Sequence, residues 1–253
     1  MRLLTTTIAL AALTVAAPAS ARAQSDDGPY PVSPKRPSFS VGSAIAPGSS
    51  LELEFGVDTV DEGAQLPTDL RLGLGFLKRT ELSVSYDSLD VDGSDARFGE
   101  KLTLGLRSRL IDAGSGPGIA FAPEVGIGLR DGVSDTIGAV LIADRSFGRH
   151  GLVANLTLEG PIDRPEEAPS HTFTWVFGYS LVFGRDGRFG AFAEVQQALP
   201  QGESDTWDLM QGITCSVRSH FMIDLALQQS GVGSGSTQWH LLAGLTKNFG
   251  KIF

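Results

Sequence analysis

The sequence predicts an all-β protein: a closed, antiparallel, up-and-down transmembrane β-barrel of about twelve strands. Apolar side chains occupy every second position through twelve successive segments, and 31 glycines are spread along the chain. Compact turns and longer, more acidic connections alternate between these segments. Because successive side chains of a strand point to opposite faces, this pattern predicts strands with one bulky apolar face and one small or polar face.

The N-terminal region predicts an exported protein. Residues 1–23 resemble a secretory signal peptide, with a positive charge at Arg2, an apolar stretch, and a small-x-small cleavage site at residues 21–23. Residues 24–48 are rich in proline, which predicts an irregular arm or linker rather than core. Residues 49–253 contain the predicted barrel. No apolar run after the signal is long enough to predict a transmembrane helix.

The twelve predicted strands follow one another with few interruptions. Their alternating apolar residues run over Leu51–Val57, Leu70–Phe76, Leu82–Tyr86, Leu102–Leu110, Ile119–Leu129, Ile137–Ala143, Leu152–Leu158, Phe173–Phe183, Phe189–Val195, Trp207–Val217, Phe221–Leu227 and Trp239–Phe249. The eighth segment shows the clearest alternation, whereas the sixth is apolar on both faces, so its orientation stays open. Residues 89–97, rich in Asp, Gly and Ser, predict a longer loop.

The character of the two strand faces predicts contact with lipid. The polar face combines small residues with charges of both signs, and lysine, the usual solvent-facing residue, is scarce. We therefore predict that the bulky face points outward into a membrane and the polar face inward around an aqueous lumen. Closing the sheet satisfies the backbone groups that lipid cannot. Aromatic residues near segment ends predict interfacial girdles. A soluble barrel or sandwich with an aromatic core is the alternative.

The charged members of the predicted inner face are the candidate lumen-lining residues. One interpretation is a charged constriction that selects solutes. The other is a static ion-pair network that fills a modest lumen, and the sequence leaves both open. Arg218 is assigned to the same face. The candidates are Glu52, Glu54, Arg71, Glu81, Arg107, Arg109, Glu124, Arg130, Asp144, Glu159, Glu194 and Asp224.

Composition argues against several other functions. The formal charge is −9, and removing Arg2 and Arg22 with the signal leaves 18 basic against 29 acidic residues, or −11, which disfavours nucleic-acid binding. The single Cys215 forms no internal disulfide, and the four histidines lack metal-ligand spacing, so no metal or cofactor is expected. No nucleophile signature such as G-x-S-x-G occurs, so an enzyme is not predicted. An outer-membrane phospholipase is the least favoured reading.

A local resemblance narrows the prediction. Residues 47–56, Leu66-Pro67 leading to Leu70–Leu74, and Thr80–Val84 resemble the transporter family associated with the MetA pathway of phenol degradation. The resemblance covers about residues 45–90. It implies an outer-membrane channel of Gram-negative bacteria, for aromatic or other small solutes, and carries no catalytic residues.

The chain end also resembles that of outer-membrane barrels, which commonly finish on an aromatic residue, as Phe253 does. Lys251 departs from the apolar alternation of a terminal strand, so that strand ends near Phe249 or Lys251 snorkels at the interface. The expected partners are outer-membrane lipid and a small solute that the sequence does not identify, with the barrel as a monomer. A structural or adhesive barrel with a blocked lumen is the alternative function.

Overall fold

The computed structural model describes residues 32, 35, 38–60, 68–87, 89–92, 95–98, 101–114, 116–162, 169–233 and 237–252. The predicted signal peptide, Phe253, and part of the predicted N-terminal arm lie outside these described residues. Within the described part of the chain, no helix has the length and apolar character needed to cross a membrane.

The described residues form fourteen strands, and twelve of them close into one antiparallel barrel, which confirms the predicted fold class. Sequence neighbours pair around the barrel, β3 pairs with β6, and β1 closes the sheet against β14. The strands are β1 (Ser50–Val60), β2 (Thr68–Leu77), β3 (Thr80–Asp87), β4 (Leu89–Asp92), β5 (Asp95–Phe98), β6 (Lys101–Ile111), β7 (Gly118–Gly128), β8 (Thr136–Phe147), β9 (His150–Pro161), β10 (Thr172–Phe183), β11 (Phe189–Pro200), β12 (Thr206–Arg218), β13 (Phe221–Ser230) and β14 (Gln238–Lys251).

The two strands outside the barrel correct one prediction. Residues 89–97 were expected to be a loop, but β4 and β5 pair there as a separate two-stranded sheet. Each strand has only four residues. A period of two is hard to recognise over so short a stretch among Asp, Gly and Ser, which favour turns.

The connections divide between two rims. Because the strands run up and down, alternate connections lie on the same side of the barrel. The short-turn rim carries the described residues 78–79, 112–114, 116–117, 148–149, 184–188 and 219–220, together with the start of β1 and the end of β14. The opposite, loop rim carries the described residues 89–92, 95–98, 129–135, 162, 169–171, 201–205, 231–233 and 237. Asp131-Gly132, a dipeptide typical of tight hairpin turns, belongs to the loop rim, with Gly132 at φ 88°.

Side-chain burial confirms the predicted facing of the strands. On β10, Phe177 is 47% exposed while its neighbour Val176 is 4% exposed. The same contrast settles β8, whose orientation the sequence left open, because Leu141 is 45% exposed and Ile142 is fully buried. The bulky apolar side chains therefore cover the outside of the barrel, and the interior holds the small, polar and charged ones.

Aromatic side chains cluster on this outer surface near both rims. Trp175 and Trp207 meet edge to face near the loop rim, with ring centroids 5.4 Å apart. Phe183 and Phe189 stack near the short-turn rim at 5.8 Å. The predicted aromatic girdles thus correspond to clusters on strands β10 to β12.

Candidate functional site

The N-terminal arm lies inside the barrel. Residues 38–49 form no strand, and they contact the inner faces of strands around the circumference. The segment is irregular, as the sequence predicts, but its place within the barrel was not predicted. The interior beside the short-turn rim therefore contains polypeptide where an aqueous lumen was expected.

Glu194 on β11 is the main anchor of the arm. One carboxylate oxygen accepts the backbone N–H groups of Phe39 and Ser40, at 2.6 and 3.2 Å. The other oxygen accepts the hydroxyl groups of Ser38, at 2.5 Å, and Ser40. A single buried carboxylate thereby satisfies two backbone donors of a segment that has no sheet neighbour, which a buried segment requires.

Two further side chains hold the middle of the arm. Asn155 on β9 accepts the Val41 N–H at 2.7 Å and donates to the Val41 carbonyl at 2.9 Å, as a neighbouring strand would. Asp144 on β8 accepts the Ser43 N–H at 3.0 Å and the Ser43 hydroxyl at 2.6 Å. The barrel wall thus supplies, from side chains, the hydrogen bonds that the arm would otherwise take from water.

An ion cluster holds both flanks of the arm. Arg71 on β2 donates one terminal nitrogen to Glu54 on β1 and the other to Glu81 on β3. The second oxygen of Glu54 accepts the Lys35 N–H at 2.8 Å, and the second oxygen of Glu81 accepts the Ala46 N–H at 2.6 Å. Arg71 therefore fixes two carboxylates whose remaining oxygens bind the arm, and planar guanidinium geometry suits such a double contact.

Two arginines of β6 bind carbonyl groups of the arm. A terminal nitrogen of Arg107 lies 3.4 Å from the carbonyls of both Gly42 and Ala44. The Arg109 Nε donates to the Ser43 carbonyl at 3.1 Å. The charged candidate residues of the short-turn half therefore bind both the N–H groups and the carbonyl groups of the arm backbone.

Apolar contacts complete the seat of the arm. Phe39 packs against a buried cluster of Met210, Ala226 and Leu242 on strands β12 to β14. On the other side, Val41 packs against the buried cluster formed by Ala120, Ala122 and Ile142. These contacts explain why several inner-face positions are apolar although the barrel interior is mostly polar.

The arm approaches the wall so closely that one position must be glycine. A Cβ atom at Gly75 on β2 would lie 1.9 Å from the Pro47 carbonyl oxygen. Beyond Pro47 the chain turns through Ser49, which has φ 65° and donates its N–H to the Gly75 carbonyl at 2.6 Å. At the other end, the Val32 N–H donates to Ser219 in the short-turn rim at 3.2 Å. Both ends of the inserted segment therefore lie at the same rim.

The remaining candidates separate into two groups. Glu52 and Asp224 are buried in the short-turn half, at 0% and 7% exposure. Glu124 and Glu159 are only half-buried and lie nearer the loop rim. Arg130 lies past the end of β7, in a connection of the loop rim rather than on a strand.

The loop half of the interior contains partly exposed polar pairs. Lys101 Nζ and Glu159 are 2.9 Å apart, and their side chains are 25% and 37% exposed. His240 Nδ1 lies 3.2 Å from Asp58, joining β14 to β1. Together with Gln196 and Asp208, which are also hydrogen-bonded, these residues form a polar vestibule. The loop half of the interior is therefore polar, and its Lys101–Glu159 pair is partly open to solvent.

The other histidines and the cysteine suggest no catalytic or metal centre. His150 is bonded to Tyr179 on the outer surface at 2.6 Å, and His171 to Ser170 at 2.9 Å. Cys215 is a free, half-buried thiol. In the part of the chain that the structure describes, no group of three His, Cys, Asp or Glu side chains is arranged to hold a metal ion.

A closed twelve-stranded antiparallel barrel with an apolar exterior and a charged interior has the architecture of outer-membrane-type β-barrels. Solved structures share this fold. The chain is similar to the NanC porin, with TM-score 0.60, 7% identity, and coverage of 78% of this chain and 98% of that one. It is also similar to an outer membrane channel from Pseudomonas putida, with TM-score 0.58, 9% identity, and coverage of 82% and 97%.

The KdgM porin shares the fold as well, with TM-score 0.56, 8% identity, and coverage of 78% and 98%. No protein-family model matches the chain, and no curated protein matches it either. At these identities the similarity establishes the fold of outer-membrane porins and channels. The interior arm described above rests on the structure of this chain itself.

Proposed function

We propose that the protein is an outer-membrane channel for small solutes in which the N-terminal arm is a removable plug. The observation that carries the proposal is the bonding of the arm. Hydrogen bonds and apolar contacts hold it against side chains of the barrel wall, while β1 and β14 close the barrel without it. Withdrawal of the arm would leave a continuous barrel whose interior carboxylates and arginines become available to water and solute.

The proposed location rests on the outer surface. Its bulky apolar side chains, flanked by aromatic clusters near both rims, match the lipid-facing band of outer-membrane barrels. In such barrels short turns face the periplasm and longer loops the exterior. The arm would then insert from the periplasmic side, and the vestibule would open to the outside. We expect the barrel to act as a monomer.

Apolar or aromatic compounds are the proposed solute class. A groove of about 730 Å³ lined by Leu82, Leu104, Val125 and Leu158 lies on the outer surface of the barrel, because these side chains belong to the exposed apolar face, and it is not part of the lumen. The resemblance of residues 45–90 to the transporter family associated with phenol degradation supports this solute class. No catalytic role is proposed.

The test compares four reconstituted proteins in planar bilayers. The chain beginning at Ser49 should conduct several-fold better than the chain beginning at Gln24, because the plug is gone. The variant Glu194→Ala should show frequent openings, since the Phe39 and Ser40 amides lose their acceptor. Glu159→Ala, a carboxylate of the loop half, is the matched control and should leave the opening frequency unchanged.

A blocked, structural barrel is the second candidate, and occupation of the interior by the arm favours it. It requires that the arm-deleted protein, shown to be folded by its shifted migration in unheated gels, conducts no better than the full chain. That result would overturn the channel proposal. An adhesive role through the acidic loops would instead appear as loss of surface binding when residues 160–171 are deleted.

A further inference from the structure

One sector of the short-turn rim carries four exposed basic side chains. Arg149 lies in the β8–β9 turn, Arg185 and Arg188 lie in the β10–β11 turn, and Arg218 ends β12; all four are exposed. Backbone hydrogen bonds join these turns to neighbouring strands. The Val182 N–H donates to the Arg149 carbonyl, and the Ser216 N–H donates to the Arg188 carbonyl, both at 2.8 Å. We call these four arginines the basic arc.

The arc has little internal neutralisation. Among the residues that the structure describes, no carboxylate lies within ion-pair distance of these four guanidinium groups. Elsewhere on the same rim, Arg79 is paired with Asp112. Asp186 is the acidic residue within the arc's own turns. The arc therefore keeps most of its positive charge available to an external anion.

Aromatic side chains border the arc on the outer surface of the barrel. His150 stacks on Phe147, with centroids 5.6 Å apart, and its Nδ1 is 2.6 Å from the Tyr179 hydroxyl. Phe183 and Phe189 stack beside the turn that carries Arg185 and Arg188. Aromatic rings of this kind occupy the headgroup region at membrane interfaces. The arc thus sits where lipid headgroups would lie in the proposed orientation.

The opposite rim has the opposite charge. Its described connections carry the acidic residues Asp90, Asp92, Asp95, Asp131, Asp135, Glu203 and Asp205, with Arg97 and Arg130 as basic exceptions. The barrel is therefore acidic at the loop rim and basic along one sector of the short-turn rim. A ligand that selects the arc must be anionic, and one that also contacts the aromatic border must be apolar beyond its charged end.

We propose that the basic arc and its aromatic border bind the headgroups of anionic phospholipids in the leaflet that surrounds the short-turn rim. Guanidinium groups bind phosphate oxygens through paired hydrogen bonds, and basic clusters beside a membrane attract anionic lipid. A soluble acidic protein would also meet the positive charge. The continuity of the arc with an exposed apolar surface favours lipid, because a protein in the water phase leaves that border uncovered. The inference goes beyond solute passage and does not depend on whether the arm moves.

The experiment measures lipid selectivity of the full chain. The protein is reconstituted in phosphatidylcholine containing spin-labelled phosphatidylglycerol or spin-labelled phosphatidylcholine, and the motionally restricted fraction of each label is compared by electron spin resonance. The wild-type chain should restrict phosphatidylglycerol several-fold more than phosphatidylcholine. Added salt should reduce this preference, since it screens exposed charges.

Paired variants locate the site. Arg185→Gln with Arg188→Gln should remove most of the preference. Lys78→Gln with Arg79→Gln removes the same charge from the other side of the rim and should keep it. Arg185→Lys with Arg188→Lys retains the charge at both positions and should keep most of the preference. Equal loss in the two glutamine variants, an unchanged preference in the arc variant, or no preference in the wild-type chain would overturn the proposal; the last result favours an acidic protein partner.

Discussion

The two halves of the barrel interior are built from the same alternating strands, yet they treat their charges differently. Next to the short-turn rim, Glu54, Glu81 and Glu194 are almost completely buried and bind backbone N–H groups of the arm. Next to the loop rim, Lys101 and Glu159 pair with each other while remaining partly exposed. The difference shows that charged inner faces do not by themselves indicate a water-filled pore, because a polypeptide segment can take the place of water.

The largest expected effect separates the halves by their ion pairs. Arg71→Met leaves Glu54 and Glu81 buried without their shared counter-charge, and breaking such buried pairs typically costs ~3–5 kcal/mol. We expect the free energy of unfolding by urea in lipid vesicles to fall by about that amount. The control is Lys101→Met in the loop half, since Lys101 pairs with the partly exposed Glu159. Equal losses in the two variants would remove the distinction between the halves.

An intermediate effect is expected from crowding the arm. In Gly75→Ala the new methyl group takes the space of the Pro47 carbonyl, so the arm must shift away from β2. With Cys215→Ala as background, a cysteine introduced as Ala46→Cys reports this shift by its rate of maleimide labelling. We expect labelling to accelerate at least about tenfold, the factor that ~1.4 kcal/mol of easier opening produces.

A matched glycine tests whether that acceleration is specific to the arm. Gly138 faces the loop half, where an added Cβ would lie 3.3 Å from its nearest neighbours. Gly138→Ala should leave the labelling rate of Ala46→Cys unchanged. If both alanine variants accelerate labelling alike, general loosening of the barrel, and not contact with the arm, is responsible.

The smallest effect is expected in the vestibule. Lys101→Met removes the Glu159 pair, but exposed and half-exposed pairs are typically worth only ~0–1 kcal/mol. The same urea titration should therefore shift little, and the Ala46→Cys labelling rate should not change. A loss of unfolding free energy as large as that of Arg71→Met would mean that the vestibule excludes water as completely as the half that contains the arm.

The sequence was sufficient for the barrel because each spanning strand carries a long, regular alternation. A strand of about ten residues repeats the two-residue period several times, as β10 shows. The repeats are enough to predict both that the strand exists and which of its side chains face outward. The same reasoning fails for short or irregular features. β4 and β5 are too short to show a period, and the register irregularity between Ser216 and Arg218 on β12 places Arg218 among the exposed residues rather than on the inner face.

The position of the arm could not be predicted from periodicity. Residues 38–49 show no alternation of apolar and polar side chains. Their backbone N–H groups bind the barrel wall, and every residue except proline has such a group, so the side chains do not reveal these contacts. Two signals were nevertheless present. The candidate lining residues include eight carboxylates and four arginines, so the inner face needed further hydrogen-bond donors. Gly75, a glycine on the inner face near the end of β2, marks the place where another backbone comes close.

The arrangement of the arm bears on how the molecule is assembled. Because the chain goes in beside Ser219 and comes out beside Gly75, the inserted segment is a loop whose two ends stay on one side of the barrel. No chain end has to be threaded through the barrel. Strand β14 can therefore pair with β1 first, and the segment can insert into the closed barrel afterwards. Insertion and withdrawal are then the same movement run in opposite directions, and neither requires the finished cylinder to come apart.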